Sequence, residues 1–363
     1  LKRVRRRPPW RWLTNAMYHS TPIEFRTVDP LRQPQELAAI RELLECNQLG
    51  LDGDIQLFVV AAAGRRIVGC AGLAWRTIKC VAVDEAWRGD NLSVRLLGEI
   101  QHMAMERGNA HLFLFTRPHN LERFRQGGFW PLVQVEETAV LMENTPVGIS
   151  RYCAGLEKKR KPGSRIGSIV MNANPFTLGH RYLAEQAAAR CDWLHLFVVR
   201  EDASFFPFEE RWEMVCRGVA HLPNVIVHRG SDYLISRATF PGYFLKESGL
   251  IDKTWSAMDL MIFRDYIAPA LGITHRFVGN EPFCAVTREY NQAMRYWLEV
   301  HRNHSAASLQ VVELPRKCHA AGRAISASEV RALLKSQQMA RIREIVPETT
   351  FSHLQRYYAL DVA

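Results

Sequence analysis

Long hydrophobic runs are missing from this sequence. The apolar stretches it has, such as Leu194 to Val199 interrupted by His195, fall far short of the roughly 20 residues a membrane helix needs, so no membrane partner is expected. Paired cysteines are missing too. The eight cysteines (46, 70, 80, 153, 191, 216, 284 and 318) show no C-x-x-C pair and no regular spacing, which excludes a disulfide framework or zinc module and fits reduced thiols in the cytoplasm. His301 and His304 lie three apart without a matching carboxylate or cysteine, so they read as surface residues and no protein-held metal is expected. Acidic residues are absent from the first twelve positions, and so is the apolar segment of a secretory signal.

That local shortage of acid explains most of the net charge of +10. Lys2, Arg3, Arg5, Arg6, Arg7 and Arg11 supply six of the 47 basic residues, and without them 41 basic side chains face 37 acidic ones. The remainder is close to neutral, so no nucleic-acid partner is expected, and residues 1–19 read as a flexible basic arm. With 363 residues, 47% of them hydrophobic, the chain is long enough for two ordinary domains.

The first of these spans residues 20–145. Ile23 to Val28 alternates like a strand, and Pro34 opens a helix with Leu37, Ile40, Leu43 and Leu44 on one face. Strands at 56–63, 66–74 and 77–83 follow, then the loop Arg88-Gly-Asp-Asn-Leu-Ser93, a helix over 92–107, a strand at 111–116, a short helix over 118–126, and a last strand pair introduced by Gly127-Gly128-Phe129. This order resembles the GNAT N-acetyltransferase domain, whose loop Q/R-x-x-G-x-G/A closes backbone amides on the pyrophosphate of acetyl-CoA. Arg88 matches. Asn91 and Ser93 replace the two small residues, and Asp90 adds negative charge, which argues against an acetyl-CoA-dependent transferase. Two readings stay open: a retained CoA-like groove, or a loop in which Asn91 only caps the helix.

Residues 146–164, with the polar stretch Gly155 to Gly163, read as a solvated linker. Beyond it, residues 165–363 alternate strand and helix: strands at 168–171, 193–199, 224–228, 275–279 and 309–314, with helices over 178–190, 208–220, 286–301 and 327–335. Near-continuous apolar strands covered on both faces predict an α/β fold with a doubly wound, Rossmann-like parallel sheet, whose ligands sit at the carboxyl ends of the strands.

At one such end stands Thr177-Leu178-Gly179-His180. A loop that leaves a strand and opens a helix turns backbone N–H groups and the positive end of the helix dipole toward a phosphate. Gly179 permits close approach, and His180 can donate to a phosphoryl oxygen as charge builds there. Asn174, Pro175 and Phe176 belong to the same loop and are expected among the residues that bind the nucleotide. Some 150 residues on, Ser326-Ala-Ser328-Glu-Val-Arg331 places a capping serine and, one turn later, an arginine suited to phosphate oxygens. The pair T-x-G-H and I-S-x-S-x-x-R resembles the two-part signature of the nucleotidyltransferase superfamily, which implies an ATP site.

Met171 to Leu183, Ser231 to Phe244, Arg276 to Cys284 and Ile325 to Arg331, standing behind a GNAT-like domain, resemble the [citrate (pro-3S)-lyase] ligase family over residues 22 to 355. The resemblance implies an enzyme that consumes ATP and acetate, forms acetyl-AMP, and acetylates the thiol of the phosphoribosyl-dephospho-CoA group on the citrate lyase acyl carrier subunit. By the same resemblance Thr177 and His180 contact the α- and β-phosphates, while Ser326, Ser328 and Arg331 hold the departing pyrophosphate. Mg²⁺ would arrive bound to the oxygens of ATP. Weaker expectations place Arg211 on a phosphate, or in a helix-surface salt bridge, and Gly279, Asn280 and Glu281 near the adenosine or a metal-bound water, or in a strand-ending turn. Asp232 and Tyr233 read as an acetate or pantetheine pocket, or as packing. The alternative is a free-standing adenylyltransferase acting on a mononucleotide or phosphopantetheine.

Overall fold

The computed structural model describes residues 22–89, 91–200, 204–235, 240–241, 243–245, 248–280, 285–301, 309–317 and 324–359. The chain forms two compact units. One comprises the residues through Gly148 together with Pro241–Ile251; the other comprises Ile149–Phe240 and Asp252–Ala363.

The first unit holds a seven-stranded mixed sheet: β1 (Ile23–Val28), β2 (Leu57–Ala63), β3 (Arg66–Ala74), β4 (Thr77–Val83), β5 (Phe113–Thr116), β6 (Trp130–Val135) and β7 (Ala139–Glu143), in the order β1-β2-β3-β4-β5-β7-β6. Only β4 and β5 pair in parallel. That requires a crossover, supplied by α2 (Leu92–Glu106) on one face, while α1 (Pro34–Cys46) covers the other. α2 buries Leu92, Leu96, Leu97 and Ile100 at helical spacing against β2, β3 and β4. The strands and helices follow the order read from the sequence. Pro241–Ile251 joins this unit through backbone-level contacts that no local pattern announces: Gly50 donates to the Tyr243 carbonyl (2.7 Å), and the Tyr243 hydroxyl donates to the Phe115 carbonyl (2.9 Å).

Within the stretch read as a linker lies a helix, α4 (Gly148–Glu157), which follows the short α3 (Leu121–Gln126) in the chain. Ile149 and Leu156, two turns apart, are its buried residues, so the stretch is ordered by burial although its last residues are polar.

The second unit is built on an all-parallel sheet of β8 (Ile166–Met171), β9 (Trp193–Val198), β10 (Val225–Arg229), β11 (His275–Gly279) and β12 (Gln310–Leu314), ordered β10-β9-β8-β11-β12. The order runs outward from β8 in both directions. The topological switch point, where an α/β sheet opens a crevice for ligand, therefore falls between β8 and β11. Helices α5 (Leu178–Ala188), α6 (Phe208–Gly218), α7 (Ser248–Ile262), α8 (Ala285–Arg295), α9 (Ala327–Lys335), α10 (Met339–Arg343) and α11 (Glu348–Tyr358) complete the unit. α5 turns Ala184, Ala187 and Ala188 to the core, and side chains this small let its axis lie close to the sheet. No helix among the described residues is long and apolar enough to cross a membrane.

One buried polar pair gives this sheet a pH dependence. His195 on β9 and His228 on β10 are fully buried, with His195 Nδ1 2.8 Å from His228 Nε2, and their outer nitrogens have no hydrogen-bond partner. Burial is the main cause that lowers their pKa values, His195 to about 4 and His228 to about 3; Lys159 and Lys161 add to it for His195, and His195 and Lys159 for His228. Both rings are neutral when folded and take up protons on unfolding. Their contribution is thus complete above the ordinary histidine value of 6.5 and is lost as pH falls from there toward 4. Denaturant unfolding between pH 7.5 and 4.5 is expected to show stability nearly level above pH 6.5 and falling below it with a slope approaching about 1.4 kcal/mol per pH unit for each ring. His228→Phe, beside Phe197, is expected to flatten that slope, and an unchanged slope would contradict the assignment.

Candidate nucleotide site

β8 ends at Met171 and the chain passes through a tight loop, with a cis peptide between Asn174 and Pro175, into α5. Thr177 is the N-cap. Its Oγ1 accepts from the His180 backbone N–H (3.4 Å), and the Thr177 backbone N–H donates to His180 Nδ1 (3.1 Å), forming a closed capping box. A backbone N–H can only donate, so Nδ1 is unprotonated and the ring proton sits on Nε2. The Thr177 hydroxyl, 3.0 Å from Nδ1, donates to the same nitrogen. Burial first, and the nearby Arg316 charge second, lower the His180 pKa to about 4, so the ring is neutral near pH 7. Its Nε2–H has no partner among the described residues, which leaves a fixed, neutral donor at the mouth of the loop.

The helix's first backbone N–H groups are divided in the same way. Leu178 donates to the Ile345 carbonyl (3.0 Å), His180 to Thr177 Oγ1, and Arg181 to the Thr177 carbonyl (3.0 Å). Gly179 N–H alone of these has no partner among the described residues. A Cβ at Gly179 would meet the Ile325 carbonyl at 3.4 Å and Thr177 Oγ1 at 3.5 Å, both ordinary contacts. The protein's own packing therefore does not demand glycine at this position.

The second motif comes to the first. Arg331 on α9 donates from Nη1 to the Asn174 carbonyl (2.6 Å) and from Nη2 to Ser328 Oγ (2.9 Å), joining segments 157 residues apart. Ser326 caps α9 by accepting from the Glu329 N–H (3.1 Å). Gly179, His180, Ser326, Ser328 and Arg331 thus share one neighbourhood. Gly279 closes β11 at the adjacent strand end, its carbonyl accepting from Asn291 Nδ2 (3.1 Å).

Three of the expected site residues are buried. Thr177 is 1% exposed with its hydroxyl 3.0 Å from His180 Nδ1, so it orients the imidazole. Phe176 is fully buried, wedged where a Cβ on Gly218 would clash with its ring, and stacked 5.8 Å from His180; with buried Pro175 it supports the loop from beneath. Arg211 is fully buried, not on the helix surface. It donates to the Phe206 carbonyl (3.1 Å), the Asn172 carbonyl (2.8 Å) and side chain (2.7 Å), and the Val199 carbonyl (2.9 Å), bracing the loops that leave β8 and β9. Tyr233 is buried and packs 5.3 Å from Tyr152. Glu281, His304 and Asp90 lie outside the described residues, as does the basic arm.

Sequence reasoning missed Asn172, which also donates to Ser204 Oγ (3.2 Å), and Arg316, whose backbone N–H donates to the side chain of the expected substrate contact Asn280. Asparagines on both sides of the β8 turn were the available signal, since side-chain amides commonly satisfy loop backbone.

In the first unit, the Arg88 to Ser93 loop lines a cleft of about 270 Å³ together with Trp87, Arg123 and Gln126. Gly89 takes a left-handed φ of 113°, and Asn91, also left-handed at 53°, makes no capping hydrogen bond. Capping by the Asn91 side chain is therefore not what this loop does.

The family model of the citrate lyase ligase C-terminal domain matches residues 166–354, which span β8 through α11 and every residue of the nucleotide site described above. [Citrate [pro-3S]-lyase] ligase of Escherichia coli (strain K12) is 48% identical over 321 residues, covering 88% of this chain and 91% of that protein. The Klebsiella pneumoniae protein of the same name is 47% identical over 332 residues, 92% of this chain and 96% of that one. Among solved structures, Escherichia coli ElaA aligns with 34% of this chain and 100% of its own, at 19% identity and a TM-score of 0.31. Identity near one half over about nine tenths of the chain means that this chain belongs to the [citrate (pro-3S)-lyase] ligase family.

Proposed function

We propose that the amino end of α5, completed by Arg331, is where this ligase activates acetate. A citrate lyase ligase uses ATP and acetate to acetylate the thiol of the citrate lyase acyl carrier subunit. In the first half-reaction an acetate oxygen attacks the α-phosphorus, the bond to the β-phosphate bridging oxygen breaks, and acetyl-AMP and pyrophosphate result. In the second, the carrier thiolate attacks the acetyl carbon and AMP departs, with the thiol proton released to solvent. The thiol belongs to the carrier's phosphoribosyl-dephospho-CoA group.

The observation that carries this reading is the 2.6 Å bond from Arg331 to the Asn174 carbonyl, which brings a second cationic motif over a helix end whose Gly179 N–H and His180 Nε2–H both remain to donate. His180 and Gly179 then bind the α-phosphoryl oxygens, where charge increases in the transition state. Arg331, with Ser326 and Ser328 beside it, takes the pyrophosphate that leaves. Gly279 borders the adenosine side of the crevice. Among the described residues no group of three histidine, cysteine or acidic side chains is placed to hold a metal. Mg²⁺ would enter as its ATP complex, with phosphate oxygens and water as ligands.

Acetate labelled with ¹⁸O tests the chemistry. One labelled oxygen is expected in the phosphate of AMP after turnover with the carrier subunit. Label in pyrophosphate, or in neither product, would sink the proposal, and turnover with a mononucleotide or phosphopantetheine in place of acetate would favour a free-standing adenylyltransferase.

A further inference from the structure

In the first unit, β4 and β5 stop pairing while both strands go on. Their parallel register joins only Thr77 with Phe113 and Ile78 with Leu114, yet β4 continues to Val83 and β5 to Thr116. The ladder begins with the Phe113 N–H on the Arg76 carbonyl (2.8 Å). In a parallel pair every second residue turns its backbone groups to the same neighbour, so a later rung would join the Cys80 N–H to the Phe115 carbonyl. β4 is irregular at that point. Its register on β3 shifts between Cys70 and Gly72, and Cys80 takes a left-handed φ of 54°.

A side chain from the Pro241–Ile251 segment stands where that rung would be. The Tyr243 hydroxyl donates to the Phe115 carbonyl (2.9 Å), and the Cys80 backbone amide interacts with the same oxygen. The segment is fastened through its own backbone: the Tyr243 carbonyl accepts from the Gly50 N–H (2.7 Å), and the Phe244 carbonyl accepts from Arg117 Nη2 (2.9 Å). Further along β4, Val83 lines the cleft of about 270 Å³ together with Arg88 and Arg123. Cys80 to Val83 is about 10 Å of strand. Arg88 donates to the neutral Asn47 side chain (2.8 Å), a contact that leaves its charge intact. One strand therefore offers backbone groups at the split and two guanidinium groups at its end. Amides can add to an open strand, and guanidinium groups bind phosphate, so this edge suits a long ligand that carries both.

We infer that the edge of β4 from the Arg88 and Arg123 cleft to Cys80 is the groove for the phosphoribosyl-dephospho-CoA arm of the carrier, and that Tyr243 is its stopper, a tethered side chain that the arm displaces. The identity of the arm rests on the reading under Proposed function; the groove and its stopper rest on the first unit alone. An incoming chain regains at Cys80 and Phe115 the hydrogen bonds that the hydroxyl gives up.

Dephospho-CoA, which carries both the amides and the pyrophosphate, is the probe, titrated by calorimetry into the full-length protein with ATP saturating the second unit. Tyr243→Ala is expected to bind it at least about tenfold more tightly than the parent, the scale of one hydrogen bond that no longer has to be broken. Adding Arg123→Gln to that variant is expected to weaken binding at least about tenfold. Should thermal unfolding show that Tyr243→Ala has lost its fold, Tyr243→Phe decides, since it keeps the ring and drops only the hydroxyl. In Tyr243→Phe, hydrogen exchange at the Cys80 amide is expected to be faster than in the parent and to slow again as dephospho-CoA is added. Equal or weaker binding by a folded Tyr243→Ala, binding indifferent to Arg123, or Cys80 exchange that dephospho-CoA leaves unaltered would each overturn the proposal. Those outcomes leave the nucleotide site standing, whose own failure shows as pyrophosphate exchange that survives His180→Ala.

Discussion

Arg211→Leu is expected to lower the unfolding free energy by about 3–5 kcal/mol, among the largest effects of any single substitution here. The guanidinium is fully buried and donates to the carbonyls of Asn172, Val199 and Phe206 and to the Asn172 side chain. Leucine fills much of the volume but leaves those acceptors without donors, at about 1–3 kcal/mol for each one that water does not reach. The loops after β8 and β9 would lose their common brace. Denaturant unfolding measures the first effect directly. A variant of unchanged stability but weakened ATP affinity would contradict this and return Arg211 to a phosphate-binding role.

His180→Ala carries the second large effect, a loss of at least about 100-fold in acetate-dependent adenylation, the scale of one preorganised transition-state donor. The physical basis is the capping box. Because the Thr177 N–H and hydroxyl both face Nδ1, the Nε2–H tautomer is present before ATP arrives and no reorganisation is needed to donate. The low pKa keeps the ring neutral across the working range, so the donor does not depend on pH between about 5 and 8. Alanine also vacates the space stacked against Phe176, but Phe176 is held from its other side by Gly218, so the loop should persist.

Much of this was legible in the sequence, for reasons that can be named. Strands β2, β3 and β4 are short apolar runs bounded by turn residues, and the buried parallel strands β8 and β9 are nearly continuous in apolar character, so local composition locates them. T-x-G-H and I-S-x-S-x-x-R were visible because capping and phosphate binding need particular side chains at fixed offsets. What stayed hidden depends on distant partners. Thr177 and Phe176 share a loop with Gly179 and His180, and burial, which no local pattern gives, sets them and Arg211 apart. Arg316 belongs to no local pattern; it acquires meaning from Asn280, 36 residues earlier. Helix α4 was obscured because its two buried positions are followed by a dense run of charge, and the attachment of Tyr243 to the first unit is purely tertiary.

The central claim is that the amino end of α5, with Arg331 above it, carries out adenylation of acetate. The most direct measurement is acetate-dependent exchange of labelled pyrophosphate into ATP, without the carrier subunit, in the parent protein and in His180→Ala. The account predicts exchange that requires acetate in the parent and falls at least about 100-fold in the variant; exchange of equal rate in the two proteins would contradict it.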